Sequence, residues 1–159
     1  MSIAISTSLQ VPFDDAVTRT REALAGQGFG VLTEIDMKAT LKAKLDQDME
    51  NYLILGACNP PLAHRAVEID RQIGLLLPCN VVVRTDPADD SRVLVEAMNP
   101  QLLVEVTSEP ALQPVADRLR HAVHLDDDDL LAADAIAHCL AALRANPDVQ
   151  LLFFAAQGF

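Results

Sequence analysis

The chain has 159 residues, half of them hydrophobic and 22% charged, with 4% aromatic residues and no Trp. That length fits one domain, and a chain of this size buries roughly 70% of the surface its unfolded form exposes, so a core can form without staples. Twelve Lys and Arg against 23 Asp and Glu leave a formal charge of −11, which repels phosphate backbones and acidic membrane surfaces, so neither nucleic acid nor membrane is an expected partner.

The remaining composition narrows the class further. Scarce aromatics leave little for stacking bases or sugars. Arg118, Arg120 and His121 cluster, but Asp117 and the aspartates at 126–129 surround them. Met1-Ser2-Ile3-Ala4 carries neither a basic region nor a long apolar run, so no signal peptide is read there. No stretch of about 18 uninterrupted apolar residues suggests a membrane span. Three cysteines, an odd number without a secretory signal, point to reduced thiols and a cytoplasmic location.

Residues 3–9 are short and β-prone and read as a first strand. Pro12 with Asp14 and Asp15 opens a helix, the two carboxylates favoured by the positive end of its dipole. Phe13, Val17 and Leu24 give that helix an apolar stripe, and Gly26 and Gly28 stop it. Residues 29–35 read as a second strand, and Asp36 caps a short helix from Met37 to Leu45. Residues 52–58 form a mostly apolar strand without strong alternation, which predicts cover on both faces. Asn59-Pro60 is an N-cap followed by a first helical position, where the missing proline N–H costs nothing. That helix runs to about Asp70. Residues 75–84 read as a strand interrupted by Pro78, and residues 92–98 as another. Asn99-Pro100 repeats the cap pattern. Pro114 sits in the first turn of a helix ending near His124. Beyond it, the four aspartates mark a linker or helix start. Residues 130–143 are apolar and helix-like, Asn146-Pro147 breaks them, and residues 149–156 are β-like. The domain is therefore expected over residues 1–125. Residues 126–159 read as a helical extension packed on the domain or on a partner subunit.

Two segments, Ile54-Leu55-Gly56-Ala57-Cys58-Asn59-Pro60 and Gly74-Leu75-Leu76-Leu77-Pro78-Cys79-Asn80-Val81-Val82, resemble the domain of unknown function 302 family. Gly28-Phe29-Gly30-Val31, Glu34-Ile35-Asp36 and Asn99-Pro100 support the match, which covers about residues 3–124. The resemblance implies an α+β fold, an antiparallel sheet backed by helices similar to the TATA-binding-protein-like arrangement. It also implies homodimers, and it brings no established activity. Some relatives occur in bacteria that oxidise sulfur compounds.

Cys58 and Cys79 are the residues most able to carry chemistry. Cys58 ends a strand just before a helix start, where backbone N–H groups and the helix dipole favour a thiolate. Cys79 follows Pro78 in an apolar strand, where burial raises a thiol pKa. Together they could form a redox pair, or they could be two small buried hydrophobes, since free Cys is among the most buried residue types. Asn59 is most economically a helix cap. Asn80 is unusual inside a strand and could point into a pocket. Glu34 with Asp36 could present two carboxylates, though a solvated strand end with Asp36 as cap explains them more simply. The candidate thiol or ligand site is thus Cys58, Cys79, Asn59, Asn80 and Glu34. His121 and His124 share a helix face, but two ligands fall short of the usual three or four, so no metal is expected. Cys139 reads as packing. No phosphate-binding loop, dinucleotide fingerprint or hydrolase elbow is present, and no cofactor is named by these residues. Two readings follow. The first is a homodimeric binding or interaction module. The second is a thiol-dependent protein, handling redox chemistry, sulfur or a small ligand at Cys58 and Cys79.

Overall fold

In the computed structural model, residues 2–123 are described. The chain divides into a unit spanning Met1–Leu125 and another spanning Asp126–Phe159. The features read at residues 124–159, including His124, Cys139 and the extension, lie outside the described residues.

The strands are β1 (Ala4–Leu9), β2 (Gly30–Asp36), β3 (Tyr52–Cys58), β4 (Cys79–Asp86) and β5 (Asp89–Met98). They form one sheet in the order β1-β5-β4-β3-β2, with every pairing antiparallel. The helices are α1 (Phe13–Gly26), α2 (Met37–Leu45), α3 (Pro60–Ile69), α4 (Gln101–Thr107) and α5 (Gln113–Ala122). The fold is α+β, an antiparallel sheet with helices against it. Among the described residues no helix is long and apolar enough to cross a membrane.

Local chemistry sets the helix starts. The Asp36 carboxylate accepts from the Ala39 N–H at 2.8 Å, and the Asn59 side chain accepts from the Leu62 N–H at 3.3 Å. Each satisfies a first-turn donor with no intrahelical partner. Asn99 acts one position earlier than the Asn-Pro pattern implies. Its Oδ1 accepts from Gln101 N–H, and its Nδ2 donates to the Ser2 carbonyl, tying β1 to the start of α4.

One expected strand is shorter. Residues 71–76 form a 3-10 turn, and β4 begins only at Cys79. Proline has no N–H for a ladder and drives the preceding residue away from helix, so Pro78 separates the two conformations. Leu75 and Leu76 belong to the turn, Leu77 follows it in extended conformation, and Leu75 is exposed.

Cover on both faces of β3 is also corrected. Leu53, Leu55 and Ala57 are buried, whereas Tyr52 and Ile54 are half-buried. The same parity runs through the neighbours. Val81 and Val83 of β4, and Val93, Val95 and Ala97 of β5, are at most 2% exposed. Side chains alternate across a strand, so this burial defines one core face. Ala16, Thr20 and Leu24 of α1, Ala66 of α3, Leu103 of α4, and Val115, Ala116 and Leu119 of α5 are also buried.

Gly56 is required by close approach. A Cβ there would collide with the Thr33 side chain and lie 2.8 Å from Pro78 Cγ. Thr33, beside the β2 bulge, and Pro78, just before β4, close on bare backbone from the two neighbouring strands.

Candidate functional site

The sheet register brings the two cysteine motifs together. Ala57 lies directly opposite Cys79 and Gly56 opposite Asn80. Cys58 is therefore one residue beyond the direct neighbour of Cys79. Both thiols are free, Cys58 half-buried and Cys79 buried. They line one small cavity with Asn59, Leu62, Leu77 and Leu103. Its volume is about 10 Å3, room for one water at most.

Electrostatics separates the two thiols from a generic reactive pair. Burial, reinforced by the charge of a Cys58 thiolate, pushes the Cys79 thiol up to about 11. Low dielectric disfavours the ionised form, so Cys79 stays protonated at neutral pH. The thiolate is the nucleophile, which leaves Cys58 as the only one of the two with access to solvent and chemistry.

The other residues picked from the sequence disperse. Asn59 uses both ends of its amide, since Oδ1 caps α3 and Nδ2 donates to the Gln27 carbonyl at 3.4 Å. Asn80 is exposed, on the face opposite Cys79. Glu34 pairs across the ladder with Leu55, four residues along β2 from the partner of Cys58, a separation of roughly 13 Å. Its carboxylate meets the Arg21 guanidinium of α1. Asp36, its companion in the sequence, is the α2 cap. Among the described residues no group of three or more His, Cys, Asp or Glu is arranged for a metal.

The second candidate surface is the other face of the sheet. Ile35 lies opposite Ile54, Ile54 opposite Val82, and Val82 opposite Glu96. Leu94 and Met98 continue the same parity on β5. Ile54, Val82, Leu94 and Met98 are half-buried and Ile35 is 46% exposed. Tyr52 and Arg84 are cross-strand partners on this face. Arg84 reaches diagonally to Glu96, with Nε 2.7 Å from one carboxylate oxygen. That bond to Glu96, the largest influence on it, holds the Arg84 guanidinium above its ordinary pKa. The sequence signal for this pair is Arg84 after the apolar run Val81-Val82-Val83 and Glu96 after the apolar run Val93-Leu94-Val95.

The Cys79 environment fixes a pH dependence. Folded Cys79 keeps its proton up to about 11, against an ordinary value near 9. Its contribution to stability is complete below pH 9 and is lost as pH rises toward 11, because the unfolded chain releases that proton first. Urea unfolding across this range should show stability falling more steeply for the parent than for Cys79→Ala. Parallel slopes would contradict the assigned burial.

A family model described as Domain of unknown function DUF302 matches residues 5–125. No curated protein matches the chain. The chain is similar to the crystal structure of an uncharacterized conserved DUF302 protein from Bacillus stearothermophilus. The two are 24% identical, and the match covers 77% of this chain and 93% of that one with a TM-score of 0.70. That likeness bears on the fold, with the antiparallel sheet and its helices in common. The family match runs from β1 through α5, and the chain belongs to the DUF302 family.

Proposed function

We propose that this chain is a homodimeric interaction module that pairs through the solvent-side face of its sheet. The observation that carries the reading is the apolar row Ile35, Ile54, Val82, Leu94 and Met98 on the face opposite the core. Leaving such a row in water forgoes roughly 25 cal/mol for each Å2 that a partner would cover.

Charge leaves this face as the place where a second copy can approach. The chain carries −11 overall, so two copies repel over most of their surface. On this face the charges of Arg84 and Glu96 cancel within one hydrogen-bonded pair. A two-fold axis then places the same neutral apolar patch on both sides of the contact. Size fits as well. Five strands with about seven residues each give a face roughly 24 Å on a side. With side-chain relief, that approaches the ~800 Å2 per partner of a standard interface.

A second reading, a thiol function at Cys58, is favoured by one observation. Cys58 and Cys79 line the same cavity with Cys58 on its solvent side. The cavity admits nothing larger than a single small atom or water, so the chemistry would be attack of the Cys58 thiolate on the outer sulfur of a persulfide or on a peroxide oxygen, forming a Cys58 persulfide or sulfenic acid and releasing the donor's thiolate or hydroxide.

Sedimentation tests the first reading. The parent should run as a dimer of the 17.2 kDa chain. Val82→Glu, which puts a charge in the middle of the row without touching the core, should run as a monomer with its thermal transition retained. A parent that stays monomeric at every concentration would overturn the proposal. For the second reading, intact mass should show an added sulfur or oxygen on the parent and none on Cys58→Ala. An unmodified parent whose Cys58 resists alkylation while folded would remove it.

A further inference from the structure

The end of the sheet away from the cysteines holds a larger cavity, of about 470 Å3. It opens between the start of α1, the start of β3 and the β4–β5 hairpin. Its volume lies in the range of small-molecule sites. Val11, Phe13 and Val93 supply apolar wall, and Lys38, Glu50 and Asp90 supply charge.

These three charges are not equivalent. The Lys38 ammonium donates to Asn51 Oδ1 at 3.0 Å. The Glu50 and Asp90 carboxylates have no hydrogen-bond or ion-pair partner among the described residues. Arg84 feels the Glu50 charge, but its guanidinium is committed to Glu96. Glu50 is half-buried and Asp90 is exposed, so both carboxylates line the cavity open to water and to a ligand cation, with no protein donor bonded to either. One cation against two anions leaves the cavity at −1.

We propose that this cavity is a binding site for a small aliphatic amine, separate from the thiol corner and from the solvent-side sheet face. The ammonium would donate to Glu50 and Asp90, and the hydrocarbon stem would lie on Val11, Phe13 and Val93. Charge-assisted hydrogen bonds of this kind are stronger than neutral ones, and the apolar wall adds affinity that grows with stem length. A carboxylate-bearing ligand meets the opposite balance, because the cation of the site is already bonded and both anions are free.

The test uses the full chain, labelled for amide NMR, with n-butylamine and butyrate as probes at constant ionic strength. Butylamine should shift the amides of Asn51, Ser91 and their neighbours as a saturable set. Glu50→Gln and Asp90→Asn should each weaken that binding by about tenfold. Lys38→Met, which removes a like charge, should strengthen it. Thermal unfolding of each variant separates lost binding from lost fold, and either carboxylate variant alone suffices for the comparison. Absence of saturable shifts, shifts spread evenly over the acidic surface, equal binding of butyrate, or loss of binding in Lys38→Met would each overturn the proposal.

Discussion

Antiparallel register in β3, β4 and β5 is the constraint on which the rest of the structure depends. Once Ala57 is set opposite Cys79 and Val83 opposite Val95, side-chain parity assigns every residue of these strands to one of two environments. One parity gives Leu55, Val83 and Val95, all fully buried. The other gives Ile54, Val82 and Leu94, which are apolar but only half-buried. A slip of one residue would exchange these sets, placing Arg84 and Glu96 in the core at the cost of two desolvated charges. The ion pair therefore helps to specify the register, and it keeps the solvent-side face neutral in a strongly acidic chain.

The same register explains why the cysteine motifs converge without forming an obvious catalytic machine. The β3–β4 pairing makes Cys58 and Cys79 neighbours, yet the surroundings fit packing. Asn59 is occupied by helix capping and a loop carbonyl, Gly56 is pressed by Thr33 and Pro78, and Cys79 is held protonated by burial. What remains available is the single half-buried thiol of Cys58. The proposed function therefore rests on surfaces, the half-buried apolar row of the outer face and the distal cavity with its unpaired carboxylates.

Much of the secondary structure is legible in the sequence because short-range chemistry decides it. Asp36 before Met37 and Asn59 before Pro60 mark helix starts through side chains that satisfy first-turn donors. Gly26 and Gly28 mark the end of α1. Residues 75–77 are misleading because a run of three leucines has no periodicity to separate a strand from a turn that leaves Leu75 exposed, and Pro78 gives only the breakpoint. The two faces of β3 are also hidden. Tyr52, Ile54 and Leu55 are all apolar enough for a core, and only the pairing order shows which parity meets helices. Glu34 beside Asp36 suggests paired carboxylates, but nothing in the sequence shows that four residues of strand separate Glu34 from the thiols. The cavity at the far end draws on Val11, Lys38, Glu50, and Asp90 with Val93 on β5, four separate segments that share no spacing signal.

The central claim is that the solvent-side face of the sheet is where two copies meet. Tyr52 is the only Tyr, and the chain has no Trp, so its emission reports this face beside Arg84. Acrylamide quenching of Tyr52, followed as the protein is diluted through its dimer dissociation, measures the claim directly. The account predicts that Tyr52 is shielded at high concentration and becomes more quenchable as the mass halves. Quenching that stays constant while the mass halves would place the interface elsewhere and contradict it.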